Sequence, residues 1–310
     1  MQLAVETVDL TKTYDNTTVV NKLNLSIEEG DIFGFLGPNG AGKTTTILML
    51  LGLTEPTSGV ARICGYNSTR EPIKVKRISG YVPERVGFYE DLTARHNLTY
   101  TARLNGLSDK LAMERIGESL NVVGLSEVAD HKVQEFSRGM KQRLAIADIL
   151  IKMPKVAFLD EPTSGIDPEG VKEMLDLIAT IARERGMTVI LSSHQLQQVQ
   201  QICNRVGIIA KGQMVVEGAL DQLGRDAFGG GRFRIEIQLA ETTSALVDCI
   251  KRIDGVVSVE KSEDLLIISC LEDLRPQIAR AIVDNGGLLI QMKIQSYALE
   301  DIYMKYFTEV

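Results

Sequence analysis

Residues 37–44 read GPNGAGKT, set between the apolar stretch DIFGFL and the helix-like TTILMLLGL. Glycines at this spacing let backbone N–H groups converge on anionic oxygens with no Cβ in the way. The helix they open adds about half a positive charge at its N-terminus. The stretch fits GxxxxGK[ST], with Gly37, Gly42, Lys43 and Thr44 at the fixed positions, Pro38, Asn39, Gly40 and Ala41 within the loop and Thr45 just beyond it. The chemistry is the holding of phosphates: Lys43 is suited to bridge β- and γ-phosphates, and the Thr44 hydroxyl to bind magnesium. A second part is VAFLDEP at 156–162. An apolar strand ending in Asp160 places a carboxylate at the carboxyl edge of a sheet, where magnesium would sit. Glu161, one residue on, has two readings from sequence, a general base or an ordinary solvated acid at a strand end. His194 ends the strand TVILSSH and on its own reads as a satisfied strand-end histidine. His96 and His131 belong to no motif.

The elements around these residues follow from period and punctuation. From Met1 to about Leu36, alternating runs such as LAVETVDL and LNLSIEE, broken by YDNTT and EEG, predict an antiparallel β layer. KVAFLDEP, TVILSSH and RVGIIAKG, separated by helical stretches, predict a parallel α/β core. Asp167, Pro168 and Gly186 carry the cap, first-position and stop signals of a helix with apolar Val171, Met174, Leu175, Ile178 and Ile181. About 93–153 reads helical throughout, with Leu98, Ala102, Ile116, Leu120 and Val123 on apolar faces and punctuation at Asn105-Gly106 and Gly124, and is expected to be a helical insertion. The glycine run in GRDAFGGGR, 224–232, predicts a domain boundary, giving domains 1–228 and 232–310. Beyond it the order β-α-β-β-α-β, closed by the helix YALEDIYMKYF, predicts a small ferredoxin-like domain.

At 310 residues, 44% hydrophobic and 24% charged, the chain is long enough for two folded domains and unlike a disordered one. A net charge of −7 argues against general nucleic-acid binding, which needs a basic face, but screening beyond about 8 Å leaves the phosphate loop unaffected. Cys64, Cys203, Cys249 and Cys270 lack metal or disulfide spacing and read as reduced core thiols. No window approaches the roughly 18 uncharged apolar residues of a membrane span. The N-terminus also lacks a leader pattern, so the chain is expected in the cytoplasm.

FSRGMKQRLAIADIL at 136–150, with the loop at 37 and LDEP at 159, resembles the ATP-binding subunits of ABC transporters over roughly 1–220. FSRGMKQR stands where that family has its signature; Ser137, Gly139, Gln142 and Arg143 match, whereas Arg138 and Met140 depart. The resemblance implies that Ser137 and Gly139 face the nucleotide of a partner subunit and that Tyr14 stacks on adenine. It also implies that Glu84 of GYVPE, where the family usually has glutamine, reaches magnesium, and that His194 senses the γ-phosphate. SGID at 164–167 resembles the loop that crosses to the opposing subunit.

Membership of that family would make the chain a magnesium-dependent ATP hydrolase working as a dimer, a homodimer or one formed with a related ATPase subunit. It would power a separate polytopic membrane subunit from the inner face of the cell membrane, in the manner of exporters. The small domain would strengthen the dimer, regulate it or simply cover surface. Two other classes compete: a soluble ATP-driven clamp on nucleic acid or ribosomes, which would bring basic segments or fused ATPase units, and a non-hydrolysing scaffold, which would lack Glu161 or His194.

Overall fold

Two long strands open the chain, Leu3–Tyr14 (β1) and Thr17–Glu28 (β2), joined at Asp15 and Asn16, both with positive φ (41 and 70), the geometry a tight hairpin demands. They pair antiparallel with Leu10 opposite Leu23 and Thr7 opposite Leu25, so that Leu10, Leu23, Leu25 and Ile27 bury one face. Ile32–Leu36 (β3) departs from the antiparallel layer expected over 1–36. Its residues are buried almost without interruption, the pattern of a strand covered on both faces, and it lies inside the parallel sheet. Lys43–Leu50 (α1) follows, then Ser58–Ile63 (β4) and Tyr66–Asn67 (β5), which extend the first layer to the order β2-β1-β4-β5. Pro72–Ile78 (α2) leads into Ser79–Val82 (β6). The structure is a computed structural model, and it describes residues 2–229, 233–262, 265–294 and 298–307.

The stretch expected to be helical throughout holds three helices, Ala94–Leu104 (α3), Asp109–Val122 (α4) and Arg138–Leu150 (α5). Each begins at a hydroxyl cap: Thr93 accepts from the His96 N–H, Ser108 from Leu111 and Ser137 from Met140. Between α4 and α5 the chain turns repeatedly and Thr93 bridges Lys132, so this part is looped where a continuous helix was expected. The five apolar residues singled out in the sequence, Leu98 to Val123, are all buried.

Val156–Asp160 (β7), Pro168–Arg185 (α6), Thr188–Ser193 (β8), Leu196–Ile202 (α7), Arg205–Ala210 (β9) and Gln213–Ala219 (β10) complete a six-stranded sheet ordered β10-β9-β3-β8-β7-β6. The pairs β9–β3, β3–β8, β8–β7 and β7–β6 are parallel. Asp167 caps α6 by accepting from Gly170 N at 2.9 Å, Pro168 takes the first position and Gly186 closes it at φ 59. One cluster of buried side chains joins the two sheets through α1: Leu10 and Leu23 of the antiparallel layer, Ile47, Met49 and Leu50 of α1, and Phe33, Phe35, Phe158 and Ile190 of the parallel sheet. At roughly 1.5–3 kcal/mol for each fully buried large side chain, this sandwich fixes where α1 begins.

Met1–Glu217 form one compact unit and Gly218–Val310 a second. The expected boundary in the glycine run thus moves upstream, because Leu220–Gly224 (α8) and the π turn Arg225–Gly229 contact elements of the C-terminal unit. Gly230, Gly231 and Arg232 of that run, and Tyr297 of the last expected helix, lie outside the described residues. The second unit continues with Phe233–Leu239 (β11), Ser244–Lys251 (α9), Val256–Ser262 (β12), Leu265–Cys270 (β13), Arg275–Asp284 (α10), Leu289–Ile294 (β14) and Leu299–Phe307 (α11). Its sheet runs β12-β13-β11-β14 with every neighbour antiparallel, the ferredoxin-like arrangement. Ile235, Ile237, Leu266 and Ile268 meet Leu246, Ile250, Ile278 and Ile282 in its own core. The cysteines are free; Cys203 and Cys270 are buried, whereas Cys64, packed against the first unit's core, and Cys249 are only partly buried.

The tight seam between β3 and α7 yields a test. A Cβ at Gly34 would stand 2.3 Å from Val199 Cγ1 on α7. Gly34→Ala is expected to destabilise the protein by about 1–3 kcal/mol in chemical denaturation, the range for overpacking, with part of the loss recovered by adding Val199→Ala.

Candidate nucleotide site

Parallel pairing brings the ends of three strands to one edge. Leu36 lies opposite Ser193 and Asp160 opposite Ser192, so Gly37, Glu161 and His194, each the first residue past its strand, emerge side by side. The loop is held there by close backbone contacts. A Cβ at Gly37 would meet the Ile209 carbonyl at 2.4 Å, and one at Gly42, whose φ is 105, would meet the Val19 carbonyl at 2.8 Å. Ala41 donates to Pro38 O and accepts from Gly212 N, both at 3.1 Å, closing the loop over the sheet. Helix α1 begins at Lys43, so its first-turn N–H groups have no helical acceptor behind them.

Pro38, Asn39, Gly40, Gly42, Lys43, Thr44 and Thr45 line a cleft of ≈ 270 Å³ together with Val19, Glu84, Asp160 and Glu161. Lys43 is buried at 7% exposure and its Nζ donates to Gly37 O (2.6 Å) and Pro38 O (3.3 Å). Burial pulls Lys43 below the usual ammonium range, against the opposing pull of Glu161, Asp160 and Glu84. The Thr44 hydroxyl donates to Asp160 Oδ2 at 2.8 Å, linking the helix start to the end of β7. Three oxygen-bearing side chains, Thr44, Asp160 and Glu84, therefore border one cleft. Hard oxygen donors suit magnesium, which keeps waters and substrate phosphate oxygens in its shell. Among the described residues no cluster of three or more His, Cys, Asp or Glu forms an all-protein cage.

Glu161 is nearly buried and sits at φ 49, in the left-handed region, while its N–H still donates to Ser192 O of β8 at 2.9 Å. That backbone turn carries the side chain off the strand direction of Asp160. Its Oε1 lies 2.8 Å from His194 Nδ1, which removes the reading of Glu161 as an unattached surface acid. The His194 side chain is 48% exposed, so packing alone does not hold the ring.

Other predicted residues lie elsewhere. Ser137, Arg138, Gly139 and Met140 border a separate cleft of ≈ 470 Å³ with Gly165, Ile166 and Asp167. Ser137 and Gly139 are absent from the walls of the loop cleft, as is Tyr14, which is exposed with Lys12 Nζ 4.8 Å from its ring centre. Two contacts had no sequence signal. Arg138, noted only as a departure from the signature, donates to Ser164 Oγ at 3.3 Å, and Thr163 Oγ1 donates to Gln198 Oε1 at 2.5 Å.

A glycine loop between β3 and α1, a histidine ending the adjacent parallel strand β8 and an Asp-Glu pair ending β7 beyond it define a nucleoside-triphosphate-binding protein of the phosphate-loop class. A family model described as ABC transporter matches residues 20–164. The bacitracin transport ATP-binding protein BcrA of Bacillus licheniformis is 40% identical over 307 residues, 98% of this chain and 97% of its own. The daunorubicin/doxorubicin resistance ATP-binding protein DrrA of Streptomyces peucetius is 33% identical over 296 residues, 96% and 88% respectively. A solved ATP-binding subunit of an ABC transporter superposes with TM-score 0.66 at 30% identity, over 74% of this chain and 94% of that one. The ATP-binding cassette MJ0796, solved as a dimer in a post-hydrolysis state bound to ADP and Pi, superposes with TM-score 0.64 at 27% identity, over 70% and 98%. The chain belongs to the ABC transporter family, as an ATP-binding, ATP-hydrolysing subunit.

The loop geometry predicts that Gly42→Ala weakens ATP binding by at least about tenfold in calorimetric titration. A Cβ at φ 105 costs on the order of 1–3 kcal/mol, and relief of the clash with Val19 O has to shift the loop.

Proposed function

We propose that the chain is the ATPase engine of an exporter, docked on a separate membrane-spanning subunit at the inner face of the membrane and dimeric when it holds ATP. The observation that carries this reading is the meeting of Lys43, Thr44, Glu84, Asp160 and Glu161 on one cleft, with His194 bonded to Glu161. The relatives named for bacitracin transport, linearmycin resistance and daunorubicin/doxorubicin resistance support export of an antibiotic-like cargo. Among the described residues no helix is long and apolar enough to cross a membrane, which supports a separate spanning subunit.

The loop N–H groups and Lys43 would hold the phosphates, whose charge supplies the ammonium with the partner that burial demands. Magnesium, held by Thr44, Asp160 and Glu84 with phosphate oxygens, would neutralise charge on the β- and γ-phosphates. Glu161 has one oxygen bonded to His194 and a second with which to accept from a water, orienting that water's oxygen toward the γ-phosphorus. The water oxygen would then bond to the γ-phosphorus as the bond from γ-phosphorus to the bridging oxygen breaks, the water's proton passing to Glu161, giving ADP and phosphate. His194 would donate to a γ-oxygen and Lys43 would balance its charge.

Ser137 and Gly139, at the start of α5, have no place in the chain's own loop cleft. They are assigned to the nucleotide of a second subunit, with Asp167 and the 164–167 loop at the same interface and Tyr14 against the adenine. The dimeric MJ0796 cassette supports this pairing.

Glu161→Gln is expected to lower ATP turnover about 10²- to 10⁴-fold, the usual cost of losing a positioned base, and to accumulate an ATP-bound dimer on size-exclusion chromatography. Parental turnover in that variant would remove Glu161 from its role. Purification of the full-length chain from native membranes should bring a polytopic subunit with it; recovery in the soluble fraction with salt-sensitive nucleic-acid binding would instead indicate a clamp.

A further inference from the structure

We infer that Gln198 is a positioning residue for the Glu161–His194 pair, acting through a neutral relay from Thr163 to Gln195. The inference rests on the roles proposed for Glu161 and His194. The Thr163 hydroxyl, buried at 3% exposure, donates to Gln198 Oε1 at 2.5 Å. The other end of the same amide, Nε2, donates to Gln195 Oε1. Thr163 stands two residues after Glu161, and Gln195 directly follows His194. One side chain on α7 therefore joins the two turns that carry the reacting pair.

These turns need such a link. Helix α7 is short and its cap residue, Gln195, makes no side-chain cap bond, while the His194 ring is half-exposed. Besides the bond to Glu161, the turn at His194 is held by the Gln195 N–H to Ser193 Oγ, at 3.0 Å, by the Val199 packing beneath, and by the relay. On the other side, Ser164 N donates to Glu161 O at 3.0 Å, so Thr163 lies inside the turn that Glu161 opens at φ 49. A primary amide is suited to this place. It accepts from one partner and donates to the other, and it adds no charge to the turns that carry Glu161 and His194.

The relay also reaches the Ser164–Asp167 turn, which Arg138 holds through Ser164 Oγ. Its loss should therefore loosen the geometry of the Glu161–His194 pair while leaving the phosphate loop, which it does not touch, intact.

The test uses the full-length chain. Thr163→Val and Gln198→Leu are each expected to lower kcat about tenfold, the effect of one well-placed hydrogen bond of about 1.4 kcal/mol, with KM for ATP within about twofold of the parent. The double variant should fall no further than the singles, since both break one connection. Thr163→Ser keeps the hydroxyl and should restore parental turnover, separating the bond from a folding defect. Amide exchange over 193–199 in the ATP-free protein should rise in Thr163→Val and Gln198→Leu. Single variants within twofold of parental kcat, losses that multiply in the double variant, or unchanged exchange would each overturn the inference. If instead Glu161→Gln leaves turnover intact, the assigned chemistry fails, and the exchange experiment still reads the relay independently.

Discussion

The site depends on parallel strand register. Because β3, β7 and β8 run the same way and pair with Leu36 opposite Ser193 and Asp160 opposite Ser192, three chain segments far apart in sequence leave the sheet at one edge. A slip of one residue in any of these pairings would turn the following side chains to the other face. The register is secured by buried runs with no polar alternation to exploit, such as IFGFL and VAFLD, flanked by α1 on one side and helices such as α7 on the other. Packing of Phe33, Phe35 and Phe158 is in this sense what aligns the phosphate loop with the Asp-Glu pair.

Helix α1 converts that alignment into electrostatics. Its apolar residues bind it between the two sheets, and this confines its positive end to the cleft. Lys43 is drawn in with it and loses hydration, while the three carboxylates opposite hold its charge. The Thr44–Asp160 hydrogen bond ties the helix start to β7 directly, so the loop and the acidic edge form one mechanical piece.

Much of this was legible in the sequence because it has a local signature. The glycine spacing, the cap at Asp167, the stop at Gly186 and the β-α-β-β-α-β order all read correctly, since each reflects backbone geometry within a few residues. Sequence and structure part where two structures share one pattern. A short apolar run such as IFGFL fits either sheet, and its pairing partners, not its own residues, put β3 in the parallel one. A glycine run signals that a boundary is near but not which unit α8 joins. The Thr163–Gln198 contact bridges neutral side chains 35 residues apart, and nothing in composition or period foretells it. The signature motif marks Ser137 and Gly139, but in the sequence only the resemblance, not any spacing or period, sets them apart from the chain's own loop cleft.

The left-handed backbone at Glu161 has a consequence for how such a protein can change. A residue with a Cβ held there raises the energy of the native state by on the order of 1 kcal/mol, which glycine or asparagine would relieve. With Glu161 in the role proposed for it, foldability and turnover pull opposite ways at this one position. A lineage in which that role lapsed would have a downhill route to losing the acid, leaving a robust but idle descendant.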